Sequence, residues 1–106
     1  MNVFIAINCM CAQVSEVDMT GAVLRSFTDV EDPYHLSLDS EGHLLVADCD
    51  NHRILLLNSQ LELQRVLIDR NSQVAPWQPT RLCFNEPASQ LYVVHRSSVI
   101  SVYSLR

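Results

Sequence analysis

PYHLSLDSEGHLLVADCDNHRILLLN, residues 33 to 58, decides how the chain is read. Leu36 and Leu38 alternate with His35, Ser37 and Asp39, the two-residue period of a half-buried strand. DSEG at 39–42 and DCDN at 48–51 are rich in turn residues, and an apolar run resumes after each. The spacing predicts strands near 34–39, 43–48 and 53–58, with a fourth near 61–68.

The same texture extends along the rest of the chain. Val99, Ser101 and Tyr103 alternate with Ile100, Val102 and Ser104, and further turn stretches fall at DMTG (18–21), NSQ (58–60), NEPAS (85–89) and HRSS (95–98). No segment carries amphipathic helical spacing over several turns, so the fold class is all-β.

Strands at regular spacing call for a search for internal repeats. Residues 5–29 lie on residues 45–69 without a gap: Cys9 meets Cys49, Arg25 meets Arg65, and Asp29 meets Asp69. More telling, Ile5, Val14, Val17, Val23 and Phe27 fall on Leu45, Ile54, Leu57, Leu63 and Leu67. Downstream, Pro33, Leu36 and Leu38 fall on Pro79, Leu82 and Phe84. With a one-residue insertion near Ser89 and a one-residue deletion in the later turn, Leu44, Val46 and Ile54 meet Leu91, Val93 and Ile100. The unit therefore holds four strands, a to d. Residues 1–29 supply b-c-d, residues 33–69 a complete unit, and residues 77–106 supply a-b-c.

Composition narrows the function classes. With 106 residues, 48% hydrophobic, the chain has the content of one small globular domain. Twelve acids against seven arginines, with no lysine, give a net charge of -5, a poor balance for a nucleic-acid binder. The absence of lysine has no functional explanation. Cys9, Cys11, Cys49 and Cys83 form no Cys-x-x-Cys pair, which speaks against a zinc knuckle or a redox dithiol and for reduced cysteines in a cytoplasmic protein. MNVFIAINCMCA at the amino terminus lacks a basic residue before its short apolar run and reads as a buried strand, not a secretory leader. No stretch approaches the roughly 20 apolar residues of a membrane helix, so no membrane association is expected.

Residues 33–58 resemble the NHL repeat. Its pattern runs from a proline through an alternating strand and an Asp/Gly turn to Val-Ala-Asp and Asn-His-Arg-Ile. Asp39, Gly42, Val46, Ala47, Asp48, Asn51, His52, Arg53 and Ile54 stand where that pattern wants them. NCMCAQV (8–14) and HRSSVI (95–100) hold the signature position without Asn-His-Arg. The resemblance implies a β-propeller fragment of about two and a half four-stranded antiparallel blades, in a family that usually closes six. A blade is apolar on both faces and needs a neighbour on each side. The bare faces at the two ends thus call for the remaining blades of a longer protein or for a homo-oligomer that closes the ring.

The Asp48–Arg53 segment reads as a structural b–c turn. Asp48 is expected to accept from backbone amides of its own turn, Asn51 to take a left-handed conformation, and Arg53 to pair with Asp48. Catalysis would need a nucleophile or metal that the turn does not offer, and Asp50 with His52 makes only two ligands, so no catalytic residue, metal or cofactor is assigned.

Candidate binding residues are Tyr34, His52, Arg53, Trp77, Arg81 and Arg96. Tyr34 is placed in the connection before its strand, and Trp77 sits in the matching connection between Pro76 and Pro79, with the makings of an interface anchor. The resemblance implies a protein-interaction scaffold, similar to the NHL portion of tripartite-motif ubiquitin ligases, whose RING module would lie outside this chain. Two alternatives accompany it. An RNA-binding propeller is disfavoured because Arg53, Arg70 and Arg96 face Asp29, Glu31, Asp32, Asp48, Asp50 and Asp69 on the b–c side, while Asp18, Asp39, Glu41 and Glu86 leave the other side acidic. A propeller lyase similar to peptide-amidating lyase would bind an axial metal through inner-strand histidines; His35 occupies such a position, but Arg81 is its counterpart in the next blade.

Overall fold

A computed structural model of the chain describes residues 3–8, 12–39, 41–69, 78–96 and 100–104. Ten strands run in order: β1 (Val3–Asn8), β2 (Gln13–Asp18), β3 (Val23–Phe27), β4 (Pro33–Leu38), β5 (Leu44–Asp48), β6 (Arg53–Leu57), β7 (Leu63–Ile68), β8 (Pro79–Asn85), β9 (Gln90–His95) and β10 (Ile100–Ser104). They form three antiparallel sheets, β1-β2-β3, β4-β5-β6-β7 and β8-β9-β10, in which every strand pairs with its chain neighbours. No helix occurs among the described residues. This is the all-β architecture of a partial propeller.

Alternation explains why the central sheet is apolar on both sides. Leu44, Val46, Leu55 and Leu57 turn toward the first sheet, where Ile5, Val14, Phe27 and Val30 meet them. Leu45, Ala47, Ile54 and Ile68 turn the other way, onto Leu82, Phe84, Leu91, Val93 and Tyr103 of the third sheet. All five residues of β5 are buried in consequence, which a strand covered on one face cannot achieve. The outer faces of the first and third sheets have no described segment against them, and Phe4, Val23, Ile100 and Val102 are each more than half exposed there.

The turns repeat as faithfully as the strands. Left-handed φ angles occur in three pairs at equivalent positions: Ala12 and His52 in b–c turns, Gly21 and Leu61 in c–d turns, Gly42 and Ser89 in a–b turns. Asn51 is not among them. The residue that reverses the β5–β6 turn is His52, at φ 53°, whose amide donates to the Cys49 carbonyl at 3.1 Å. In the c–d turns, the Asp18 and Asn58 side chains accept the amides two and four residues onward, and Asp39 does the same in the a–b turn. Both a-strands begin with proline, and both carry a register shift just after it, at Pro33/His35 and Pro79/Arg81. Proline has no amide to give the ladder and is tolerated at a strand start.

Candidate functional site

Asp48 ends β5 with its side chain fully buried, so each carboxylate oxygen needs donors. One oxygen accepts the amides of Glu31 and Asp32 at 3.0 and 3.1 Å. The other accepts Asn51 Nδ2 at 2.8 Å and Arg53 Nε at 2.9 Å. The amides it binds belong to the connection from the first sheet, not to its own turn as expected, because the carboxylate points back across the sheet junction. Arg53 follows the same direction: its Nη2 donates to the Asp29 carbonyl at 2.6 Å and lies 3.6 Å from the Asp29 carboxylate. The Cys49 amide donates to Asp32 O at 2.9 Å, extending the β4–β5 ladder past Pro33, while the Asp48 and Arg53 bonds to residues 29–32 fasten the connection from the first sheet onto the central one.

The third sheet keeps the backbone bond and changes the side chains. Arg96 N donates to Gln78 O at 2.9 Å, the counterpart of Cys49 to Asp32. In the place of Asp48 stands His95, also buried, whose Nε2 meets Ser101 Oγ at 2.8 Å; burial pushes its pKa down. A further link crosses between a-strands: the Leu82 amide donates to His35 Nδ1 at 3.0 Å. Burial, then the nearby Arg81 guanidinium, holds His35 below the ordinary imidazole range, so it stays the neutral acceptor this bond requires.

Above this junction several side chains converge. The Arg96 guanidinium lies over the Tyr34 ring, 5.6 Å from its centroid, and its Nη2 approaches Cys49 Sγ at 3.4 Å. Gln78 Nε2 reaches Asp50 Oδ1 at 3.5 Å. Burial, followed by repulsion from Asp50, raises the pKa of Asp32, and burial likewise pushes the Cys49 thiol up. The result is a mixed aromatic and charged surface centred on Tyr34, whose ring remains half exposed.

Of the expected binding residues, the structure brings Tyr34 and Arg96 together, sets Arg53 at the first junction and leaves His52 in the β5–β6 turn. Tyr34 is the second residue of β4, not part of the connection before it, because the strand starts at Pro33. Arg81 is exposed on β8, on the inner strand beside His35. Trp77 and Arg70 lie outside the described residues. The contribution of Cys49 and Gln78 to this surface, and the approach of Gln78 to Asp50, escape sequence reasoning, since the assembly joins residues from two repeats and no local pattern marks it.

Two groups have ligand atoms within 4.8 Å of one another: Asp32, Cys49 and Asp50, and Asp39, Glu41 and His43. In the first, the Arg96 guanidinium sits 3.4 Å from Cys49 Sγ and places a cation against the group. In the second, Asp39 already accepts the Glu41 and His43 amides and meets His43 Nδ1 at 2.9 Å, which are the bonds of a turn.

Comparison with known proteins agrees with the repeat. An NHL repeat lies at residues 33–55. Among curated proteins no relative matches. Among solved structures, a protein of unknown function from Bacteroides caccae superposes with a TM-score of 0.78 at 21% identity, covering 89% of this chain and 35% of that one. The chain thus spans about a third of the length of that structure, and the likeness concerns the fold. No helix among the described residues is long and apolar enough to cross a membrane.

Proposed function

We propose that the chain is a non-catalytic protein-interaction scaffold, the NHL-repeat portion of a larger protein, and that it engages its partner at the surface around Tyr34 and Arg96. The observation that carries this reading is the half-exposed Tyr34 ring held under Arg96 on a rigid sheet junction. Aromatic and arginine side chains fixed in place are the residue types that dominate binding energy at interfaces. Asp32 and Asp50 around them favour a partner with a basic side chain next to an apolar one. The finer reading, from the resemblance to tripartite-motif proteins, is that the larger protein is a cytoplasmic ubiquitin ligase whose RING and B-box modules lie outside this chain.

The test compares Tyr34→Ala with Leu24→Ala, an exposed change on the first sheet, in capture of partners from cell extract. A protein retained by the wild type and by Leu24→Ala, and lost with Tyr34→Ala, supports the reading. Retention of RNA that collapses between low and moderate salt would replace it with the RNA-binding alternative. Zinc or calcium bound stoichiometrically and lost in His35→Ala would replace it with the axial-metal one.

A further inference from the structure

We propose that His35 is a proton-operated latch on the junction that carries Tyr34 and Arg96. Taking up a proton at Nδ1, it releases the Leu82 amide, and the inner edges of the central and third sheets loosen beneath that surface. This regulation rests on the reading of Tyr34 and Arg96 as a partner surface.

The Leu82 amide lies 3.0 Å from His35 Nδ1, and a backbone amide can only donate. Nδ1 therefore holds its lone pair toward β8, which places the ring proton of the neutral imidazole on Nε2. A second proton can enter only at Nδ1, where it would face the Leu82 N–H donor to donor, so the bond and the imidazolium exclude each other. Arg81, the neighbour of Leu82 on β8, adds a guanidinium that repels the imidazolium. The other strands packed against β4 bring no charge to offset it. β1 carries none, and Asp48 at the end of β5 turns its carboxylate to Asn51, Arg53 and the amides of Glu31 and Asp32. Burial and Arg81 accordingly hold His35 below 6.5, so the latch is closed at neutral pH and opens as the pH falls through that lower range.

The latch sits on the line that divides the surface. Tyr34, Cys49 and Asp50 stand on the central sheet's side of it, Gln78 and Arg96 on the third sheet's. Each contact that assembles the surface crosses that line: Arg96 over the Tyr34 ring at 5.6 Å, Arg96 Nη2 to Cys49 Sγ at 3.4 Å, and Gln78 Nε2 to Asp50 Oδ1 at 3.5 Å. All three depend on how closely the two sheets approach. Tyr34 is also the extra residue at the β4 register shift, between the Pro33–Asp48 and His35–Ala47 pairs, so a displacement of His35 reaches it through one peptide bond. The apolar contact of Leu45 and Ile54 with Leu91 and Val93 does not titrate. Acid therefore parts the inner edge and leaves the two sheets folded together.

Nuclear magnetic resonance on the full chain, from about pH 7.5 to about pH 5, reads each step. At the upper pH the His35 ring nitrogens report a neutral imidazole with its proton on Nε2. As His35 titrates, protection of the Leu82 amide from hydrogen exchange, corrected for the intrinsic pH dependence of exchange, falls about tenfold. The Tyr34 ring and Arg96 side-chain signals shift with the same midpoint. His35→Asn separates this response from the titration of Asp32 and His95: the Asn Oδ1 stands near the place of Nδ1 and accepts without titrating, so Leu82 stays protected at both ends of the range. His35→Phe has no acceptor and leaves Leu82 poorly protected at both ends, with the sheet signal in circular dichroism retained; His35→Asn decides if that variant unfolds. A neutral His35 protonated at Nδ1, a Leu82 amide that keeps its protection while His35 titrates, Tyr34 and Arg96 signals that do not move, or an acid response unchanged in His35→Asn would each overturn the latch. None of these readings needs a partner. A Tyr34→Ala variant that still captures its partner removes the binding surface alone, and a Leu82 amide indifferent to His35 removes the latch alone.

Discussion

The junction between the first and central sheets closes on an ion pair; the junction between the central and third sheets closes on the His35 imidazole, which accepts the Leu82 amide. Beside each, the a- and b-strands of one sheet end on the same backbone bond, Cys49 to Asp32 in the central sheet and Arg96 to Gln78 in the third, each at 2.9 Å. The ladder between the a- and b-strands of each sheet is therefore closed by the backbone, and the side chain at the end of the b-strand is free to differ. Asp48 meets four donors from two segments, whereas His95 meets Ser101 from its own sheet. The first junction gains cohesion from charge, and the second gains a response to protons.

Removing the charge is the strongest way to break the contrast. Asp48→Ala strands the half-buried Arg53 and two connection amides, and should cost about 3 kcal/mol, read as a lowered midpoint in urea unfolding. Arg53→Lys keeps the charge but cannot reach Asp48 and Asp29 together; a loss of about 1–2 kcal/mol is expected in the same measurement.

Acid should sharpen the contrast from the other side. Burial depresses His95, and burial with Arg81 depresses His35, below the ordinary 6.5. The unfolded chain then takes up these protons first. Stability from both groups is complete above 6.5 and is lost as pH falls below it toward their folded-state values. Unfolding midpoints at about pH 7.5 and about pH 5.5 should differ in the wild type, and His95→Gln should flatten that difference.

The smallest effect is expected at the turns. Gly42 and Ser89 occupy the same left-handed position, at φ 84° and 50°, and only glycine does so without steric cost. Ser89→Gly should raise stability by about 0.5 kcal/mol and move the thermal midpoint upward.

Much of this is legible in the sequence. The strands at 34–39, 43–48, 53–58 and 61–68 were anticipated within two residues, because a period of two and turn residues are local signals. The Asp48–Arg53 pair was legible for the same reason, being five residues apart across a hairpin. What escaped was anything joining one repeat to the next. The amides that Asp48 binds are 16 and 17 residues upstream, in a connection without pattern. The Tyr34–Arg96 contact and the His35–Leu82 bond span still more of the chain. His52 takes the left-handed position expected of Asn51, while the Asn51 side-chain Nδ2 donates to the Asp48 carboxylate.

The pairing of every strand with its chain neighbours has a kinetic consequence. Each sheet can zip up from one short stretch, with no distant segment needed to complete a ladder, so contact order within a sheet is low and its formation fast. During synthesis, β1 to β3 can pair before β4 has left the ribosome, leaving Val14 and Phe27 waiting for a cover. The slow, aggregation-exposed interval then lies between sheets rather than within them, and it ends only when Arg53 and Asp48 catch the connection at residues 29–32.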